Sequence, residues 1–153
     1  LRSNAQKGDI IVVSGKLGGS IYGHHLNFMP RLKESQFLVK DFKINSMIDI
    51  SDGLSSDLNH ITKESKKGAI IFADLIPLSP KAKKIDNALN DGEDFELLFT
   101  LPLKEARRLF SSKSKPRKLF TPIGLITEEK LGVNIANSQG QMGKLLPRGF
   151  RHF

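Results

Sequence analysis

The chain has 153 residues, of which 39% are apolar, so it can build one moderate core and is not collagen-like, purely coiled-coil or fully disordered. It has no cysteine and no apolar run of membrane-spanning length, which excludes disulfide frameworks, thiolate metal centres and cysteine nucleophiles, and favours a cytoplasmic setting. The net charge of +8 favours anionic partners, although the basic residues fall in separated clusters that are typical of solvated surfaces.

The first predicted element is a buried strand, Ile10 to Val13, followed by a glycine-rich segment, residues 14–20. This segment has the small, flexible and basic composition of a phosphate-cradling loop. It does not match the P-loop pattern, however, so a plain tight connection is the favoured interpretation. A helix is predicted to start near Ser20, and Pro30 interrupts it because proline lacks an amide donor.

The best-defined unit is a strand, an acidic turn and a helix. Residues 46–50 are predicted to form a buried strand, and Leu54, Leu58 and Ile61 recur at the spacing of one helix face. The remaining predicted elements are helices at 32–39, 81–89 and 102–110, strands at 69–73, 95–101, 123–126 and 133–135, and a mobile loop at 111–118. Strands alternate with helices, which predicts an α+β fold in which helices flank a mixed sheet, in a single domain spanning residues 1–153.

Asp49 and Asp52 occupy the acidic turn, where a strand ends and a helix begins. Loops and helix starts converge at such an edge and often bind ligands there. Exposed amides would favour an anion and the two carboxylates a hard cation such as Mg²⁺, so a metal-bound phosphate fits both, with Ser51 donating its hydroxyl or amide. On spacing alone, helix capping by Ser51 and Asp52 is the stronger interpretation.

A second acidic cluster, residues 91–94, precedes the strand predicted at 95–101. It is either a solvated turn or a ligand-binding loop in which Glu93 or Asp94 faces a cationic or hydrogen-bonding substrate. No histidine is assigned a role, since His24 and His25 point about 100° apart on a helix and the other two are isolated. No serine-histidine-acid triad is indicated, and the scarcity of aromatic residues argues against nucleic-acid binding.

Three segments together resemble one family, the C-terminal domain of thiamine-monophosphate kinase. They are Asp49 to Leu54 (Asp-Ile-Ser-Asp-Gly-Leu), Asp91 to Thr100 (Asp-Gly-Glu-Asp-Phe-Glu-Leu-Leu-Phe-Thr) and the terminal Gly149 to Phe153 (Gly-Phe-Arg-His-Phe). The first motif is fairly specific, and the likeness covers nearly the whole chain. The resemblance implies the fold of the aminoimidazole ribonucleotide synthetase superfamily.

The resemblance also implies a kinase that moves the γ-phosphoryl group of ATP onto thiamine monophosphate by direct in-line transfer with Mg²⁺. Carried over by position, Asp49 and Asp52 are expected to be Mg²⁺ ligands, Ser51 an ATP contact, and Glu93 and Phe150 substrate contacts. No residue of this chain is expected to act as a catalytic acid, base or nucleophile.

The chain departs from the family pattern at Asp91, where glycine is usual, and at Arg151, where an acidic residue is common. A side chain at position 91 is expected to alter the loop or crowd the substrate. The resemblance further implies an N-terminal domain that precedes this chain and supplies most of the ATP and Mg²⁺ ligands and the main dimer contact. The 153-residue piece is therefore expected to fold but to be inactive alone.

Two other interpretations stay open: another ATP-using enzyme of the same superfamily with a different substrate, and a non-catalytic basic module that binds anionic polymers. Binding of ATP or thiamine phosphate that requires Mg²⁺ and Asp52 would support an enzyme. Salt-sensitive RNA binding that is indifferent to Asp52 would support the basic module.

Overall fold

The computed structural model of the chain describes residues 2–20 and 30–148. The helix predicted to start near Ser20, with His24 and His25, lies outside the described residues. The terminal segment that contains Phe150 and Arg151 lies outside them as well.

The described residues form one seven-stranded sheet and four α-helices. The strands are β1 (Ile10–Ser14), β2 (Ser46–Asp49), β3 (Lys67–Phe72), β4 (Leu97–Leu101), β5 (Phe120–Glu128), β6 (Val133–Ala136) and β7 (Met142–Lys144). The helices are α1 (Leu32–Asp41), α2 (Leu54–Ser65), α3 (Ile85–Asn90) and α4 (Leu103–Ser111). None of the described helices has the length and apolar character that crossing a bilayer requires.

The strand order in the sheet is β2-β4-β1-β5-β3-β6-β7. All neighbouring pairs are antiparallel except β3 and β6, which are parallel. The sheet is therefore mixed, and the predicted α+β fold class is confirmed. Because β1 and β2 both run antiparallel to β4, their carboxyl ends lie beside the amino end of β4. The two acidic segments lie at this end of the three strands.

Helices cover both faces of the sheet, and each face has its own core. On one face, Ile11 and Val13 of β1 pack in a cluster with residues of α2 and α3, among them Leu58. On the other face, Val12 packs in a cluster with residues of α1 and α4, among them Leu38. Successive strand residues point to opposite faces, so an apolar run in β1 feeds two cores. The uninterrupted Ile10 to Val13 run therefore indicates a strand covered on both sides.

Several element boundaries differ from the sequence prediction. Strand β4 begins at Leu97 rather than 95, because Glu93 and Phe95 adopt positive φ angles of 56° and 52° that cannot continue a strand. Helix α3 starts at Ile85 rather than 81, because the chain first turns at Ser79, whose carbonyl accepts the amide of Ala82. Strand β7 has no local signal in the sequence, because its residues are all exposed.

The connection after α4, which was predicted to be a mobile loop, contains a short helical turn. It ends in a 3₁₀ turn, Pro116–Leu119, that leads directly into β5. Strand β5 spans nine residues, more than the sequence predicted, because it pairs with β1 on one side and β3 on the other.

Candidate functional site

The two acidic turns are joined by main-chain hydrogen bonds that prolong the β2–β4 ladder. The amide of Ile50 donates to the carbonyl of Glu96 at 2.7 Å, and the amide of Phe95 donates to the carbonyl of Ile50 at 2.9 Å. Beyond these, the amide of Glu93 donates to the carbonyl of Ser51 at 2.8 Å. Turns 49–53 and 91–94, although far apart in sequence, therefore lie side by side at one end of these strands.

Asp57, on the first turn of α2, holds the first acidic turn in place. Its Oδ2 accepts hydrogen bonds from the amides of Ser51 at 2.9 Å and Asp52 at 3.0 Å. Burial raises the pKa of Asp57 to about 6, even though these two hydrogen bonds oppose the shift. The sequence interpretation overlooked Asp57. Its signal was a carboxylate within the first turn of a predicted helix, where exposed amides need acceptors.

This contact corrects the idea that the helix start offers free amides to a phosphate. The amides of Ser51 and Asp52 already donate to Asp57, so Ser51 retains only its hydroxyl for a phosphoryl oxygen. Gly53 is required next to them for a separate reason. It has a φ of 103°, and a Cβ there would lie 2.8 Å from the carbonyl oxygen of Leu89.

Asp49 and Asp52 are both exposed. The Asp49 carboxylate makes no hydrogen bond or ion pair with other described residues. Asp52 lies 3.9 Å from Nε2 of His60, and ligand atoms of Asp52, Asp57 and His60 all lie within 4.8 Å of one another. Exposed carboxylate oxygens suit a hard divalent cation, whereas the Asp57 oxygen is already engaged by amides. The Mg²⁺ role of Asp49 and Asp52 stays a prediction, and the described cluster of possible ligands contains Asp52 but not Asp49.

The second acidic turn holds the glycine-rich segment of residues 14–20. Oδ1 of Asp94 accepts hydrogen bonds from the amide of Gly18 at 3.0 Å and from the hydroxyl of Ser20. Oδ2 of Asp91 accepts the amide of Gly19 at 3.0 Å. The amides that would cradle a phosphate are therefore occupied, which agrees with a plain tight connection.

Asp94 is buried, and its Oδ2 has no hydrogen-bond partner among the residues that the structure describes. Burial raises the pKa of this carboxyl to about 6, against the hydrogen bonds from Ser20 and Gly18. Of the two residues that the sequence left open to face a substrate, Asp94 instead faces the glycine-rich segment. Glu93 is half-buried and keeps its role as a prediction.

Glu96 is the centre of a buried polar group that the sequence did not indicate. It accepts a hydrogen bond from the Ser14 hydroxyl at 2.5 Å, and both of its carboxylate oxygens accept from the Arg31 guanidinium at 2.9 Å. The Ser14 oxygen in turn accepts the amide of Leu97 at 2.8 Å. Such a bidentate pair fixes both side chains. It anchors the start of α1 to the edge that carries the acidic turns.

Comparison with known proteins gives relatives along the whole chain. The chain is 37% identical to thiamine-monophosphate kinase of Buchnera aphidicola subsp. Schizaphis graminum over 100% of its length, and 34% identical to that of Escherichia coli K12 over 99%. It spans about half the length of these relatives, 55% and 54% respectively. No family model matches the chain.

Solved structures show the same fold. One, described as "AaThiL complexed with AMPPCP and TMP", is 29% identical with a TM-score of 0.74, and the match covers 99% of this chain and 53% of that chain. A hydrogenase maturation protein HypE in complex with ATP has a TM-score of 0.78 at 17% identity, covering 99% and 53%, and shows the fold alone. The fold expected from the sequence resemblance is thereby confirmed.

Proposed function

We propose that this chain, which is related along its whole length to thiamine-monophosphate kinases, is the C-terminal, substrate-side domain of an enzyme that transfers the γ-phosphoryl group of ATP to thiamine monophosphate. The observation that carries the proposal is the hydrogen-bonded junction of turns 49–53 and 91–94 at one edge of the sheet. The names of the relatives support the reaction, and the bound AMPPCP and TMP of the neighbouring structure support the substrates.

In this proposal Asp49 and Asp52 hold Mg²⁺, which neutralises charge on the phosphoryl groups when bound. Asp57 sets the position of Asp52 through its amide. The Ser51 hydroxyl contacts ATP, and Glu93 contacts thiamine monophosphate, as does Phe150, which lies outside the described residues. Direct in-line transfer depends on positioning and charge, so no nucleophile of the chain is needed.

We propose that the half of the relatives that this chain does not match corresponds to an N-terminal domain. That domain would supply most ATP and Mg²⁺ ligands and the main dimer contact. The 153-residue chain should then fold but form no thiamine diphosphate by itself. Incubation with ATP, Mg²⁺ and thiamine monophosphate, followed by chromatographic detection of thiamine diphosphate, tests this. Formation of thiamine diphosphate at a normal enzymatic rate would refute the proposal that the N-terminal domain is needed for activity.

The site is tested by Asp52→Ala in the longer protein, with the exposed Asp74→Ala as the control. Asp52→Ala should lower kcat/KM for thiamine monophosphate at least 100-fold and weaken Mg²⁺-dependent ATP binding in calorimetry, whereas Asp74→Ala should change neither. If a substrate screen finds a different phosphoryl acceptor, the proposed reaction is wrong, but the proposed ATP and Mg²⁺ site is unaffected. RNA binding that is tight, salt-sensitive and unaffected by Asp52→Ala would favour a basic binding module instead.

A further inference from the structure

A strongly basic loop, residues 111–118, connects α4 to β5. Residues 106–127 contain no Asp or Glu but six basic residues: Arg107, Arg108, Lys113, Lys115, Arg117 and Lys118. Lys113, Lys115 and Lys118 are exposed, and none of the three forms an ion pair with another described residue. Their charges are therefore uncompensated by the part of the chain that the structure describes.

The two ends of the basic loop are tied together. Nε of Arg117 donates to the carbonyl of Phe110 at 3.0 Å, which closes the loop across its base. Within the 3₁₀ turn that ends the loop, the amide of Lys118 donates to the carbonyl of Lys115 at 3.2 Å. A loop closed in this way holds its lysines in a narrower range of positions than an open linker would, so less freedom is lost when an anion binds them.

A main-chain contact joins this loop to the glycine-rich segment of residues 14–20. The amide of Gly15 donates to the carbonyl of Leu119 at 2.8 Å, where the carboxyl end of β1 lies beside the amino end of β5. Lys16 follows Gly15, is exposed and forms no ion pair with another described residue. Two segments far apart in the sequence thus form one basic cluster, which consists of Lys16, Lys113, Lys115 and Lys118.

The carboxylate next to the contact between these segments does not cancel the charge of the basic cluster. The carboxylate of Glu96 is the group that a Cβ at Gly15 would meet, but Glu96 is only 4% exposed. Both of its oxygens accept hydrogen bonds from the Arg31 guanidinium at 2.9 Å, so its negative charge is already compensated. The basic cluster therefore presents positive charge to solvent, which favours an anion that carries several charges.

We propose that the basic cluster binds a linear oligophosphate, either the phosphate chain of a nucleotide or a free inorganic one. Several neighbouring ammonium groups match the several negative charges of such a chain, and lysine binds phosphate as a point charge without a fixed geometry. Nucleic acids are less well suited, because Phe110 and Phe120, which flank the loop, pack against a core and offer no surface for base stacking. Binding at this cluster requires neither Mg²⁺ nor kinase activity.

The probe is inorganic tripolyphosphate, titrated into the 153-residue chain in metal-free buffer and followed by amide NMR and calorimetry. Saturable shifts should centre on residues 15–16 and 112–119. Lys16→Glu and Lys118→Glu, one from each segment, should each weaken binding at least about fivefold, because each reverses a charge beside the anion. Lys43→Glu is the control: it changes the net charge equally, but Lys43 is exposed before β2, at the opposite end of the sheet, and binding should stay within about twofold.

Four results would each overturn the proposal. They are the absence of saturable binding, shifts centred elsewhere, equal weakening by Lys43→Glu, and tighter binding of a short oligouridine than of tripolyphosphate. The last result would mean that the basic cluster recognises nucleic acid instead.

The source of the oligophosphate is decided in the longer protein with Lys118→Glu. A rise in KM for ATP of at least about fivefold identifies the nucleotide, whereas an unchanged KM for ATP with loss of tripolyphosphate binding identifies a free oligophosphate. Tripolyphosphate binding at the cluster of a protein that forms no thiamine diphosphate would refute the kinase function and leave the oligophosphate site standing. Formation of thiamine diphosphate by a protein that binds no tripolyphosphate would refute the site and leave the kinase function standing.

Discussion

At the level of single residues, the buried carboxylate of Glu96 explains why position 15 requires glycine. A Cβ at Gly15 would lie 2.3 Å from one carboxylate oxygen of Glu96 and 2.7 Å from the other. The same carboxylate is held by Ser14 and Arg31 and cannot move aside without breaking those hydrogen bonds. The Arg31–Glu96 ion pair therefore needs the space that the absence of a side chain at Gly15 leaves open.

Gly15→Ala should consequently destabilise the chain far more than Gly8→Ala. Both glycines have positive φ angles, 60° and 90°, so both variants carry backbone strain, but a Cβ at Gly8 meets nothing within 4 Å. We expect Gly15→Ala to lower the free energy of unfolding by at least about 2 kcal/mol more than Gly8→Ala, because a buried charged group is disturbed. Urea unfolding measures the difference, and equal losses would contradict the steric argument.

At the level of elements, the contact between the second acidic turn and the glycine-rich segment explains what Asp91 does. Its carboxylate faces the amide of Gly19, and the side-chain amide of Asn87 in α3 donates to its other oxygen at 3.3 Å. The expected effect of this side chain on the loop is thus a link between the second acidic turn and the glycine-rich segment. The same orientation gives no support to crowding of the substrate.

Asp91→Gly should therefore loosen the glycine-rich segment without impairing recognition of thiamine monophosphate. Loss of a charge-assisted hydrogen bond to the Gly19 amide should lower the free energy of unfolding by about 1 kcal/mol and speed hydrogen exchange of that amide. In the longer protein, KM for thiamine monophosphate should stay within about twofold of the parent value. Asp86→Gly, on the exposed side of α3, serves as the control and should leave Gly19 exchange unchanged. A tenfold change in KM would show that Asp91 does reach the substrate.

At the level of the whole molecule, two buried acids make stability depend on pH. Burial raises the pKa of both Asp57 and Asp94 to about 6, above the ordinary value of 3.8 that applies when the chain unfolds. Between these values the folded state binds more protons than the unfolded state. Each residue therefore lowers the free energy of unfolding as pH rises from about 4 to 6.

Asp94→Asn should remove one of these contributions. The variant resembles the neutral acid at low pH but cannot ionise, so its stability relative to the parent chain should rise by about 1–2 kcal/mol between pH 4 and pH 7. Urea unfolding at the two pH values gives this difference, and exposed Asp74→Asn should show none. A relative stability that stays flat or falls over this interval would mean that Asp94 is not held in the environment described.

The sequence by itself determined most of the secondary structure and the identity of the acidic turns. The β-branched run before Ser14 and the helical recurrence of Leu54, Leu58 and Ile61 are local patterns whose periods are fixed by strand and helix geometry. The motif from Asp49 to Leu54 is contiguous, so its likeness to thiamine-monophosphate kinases can be seen without knowledge of the fold.

Only the tertiary structure decided which polar groups are free to act. The pairing of the first acidic turn with the second, the capture of Gly18 and Gly19 amides by carboxylates more than 70 residues away, and the Arg31–Glu96 pair all depend on chain crossings that no local period encodes. A sequence shows donors and acceptors, whereas the fold decides which of them already satisfy one another.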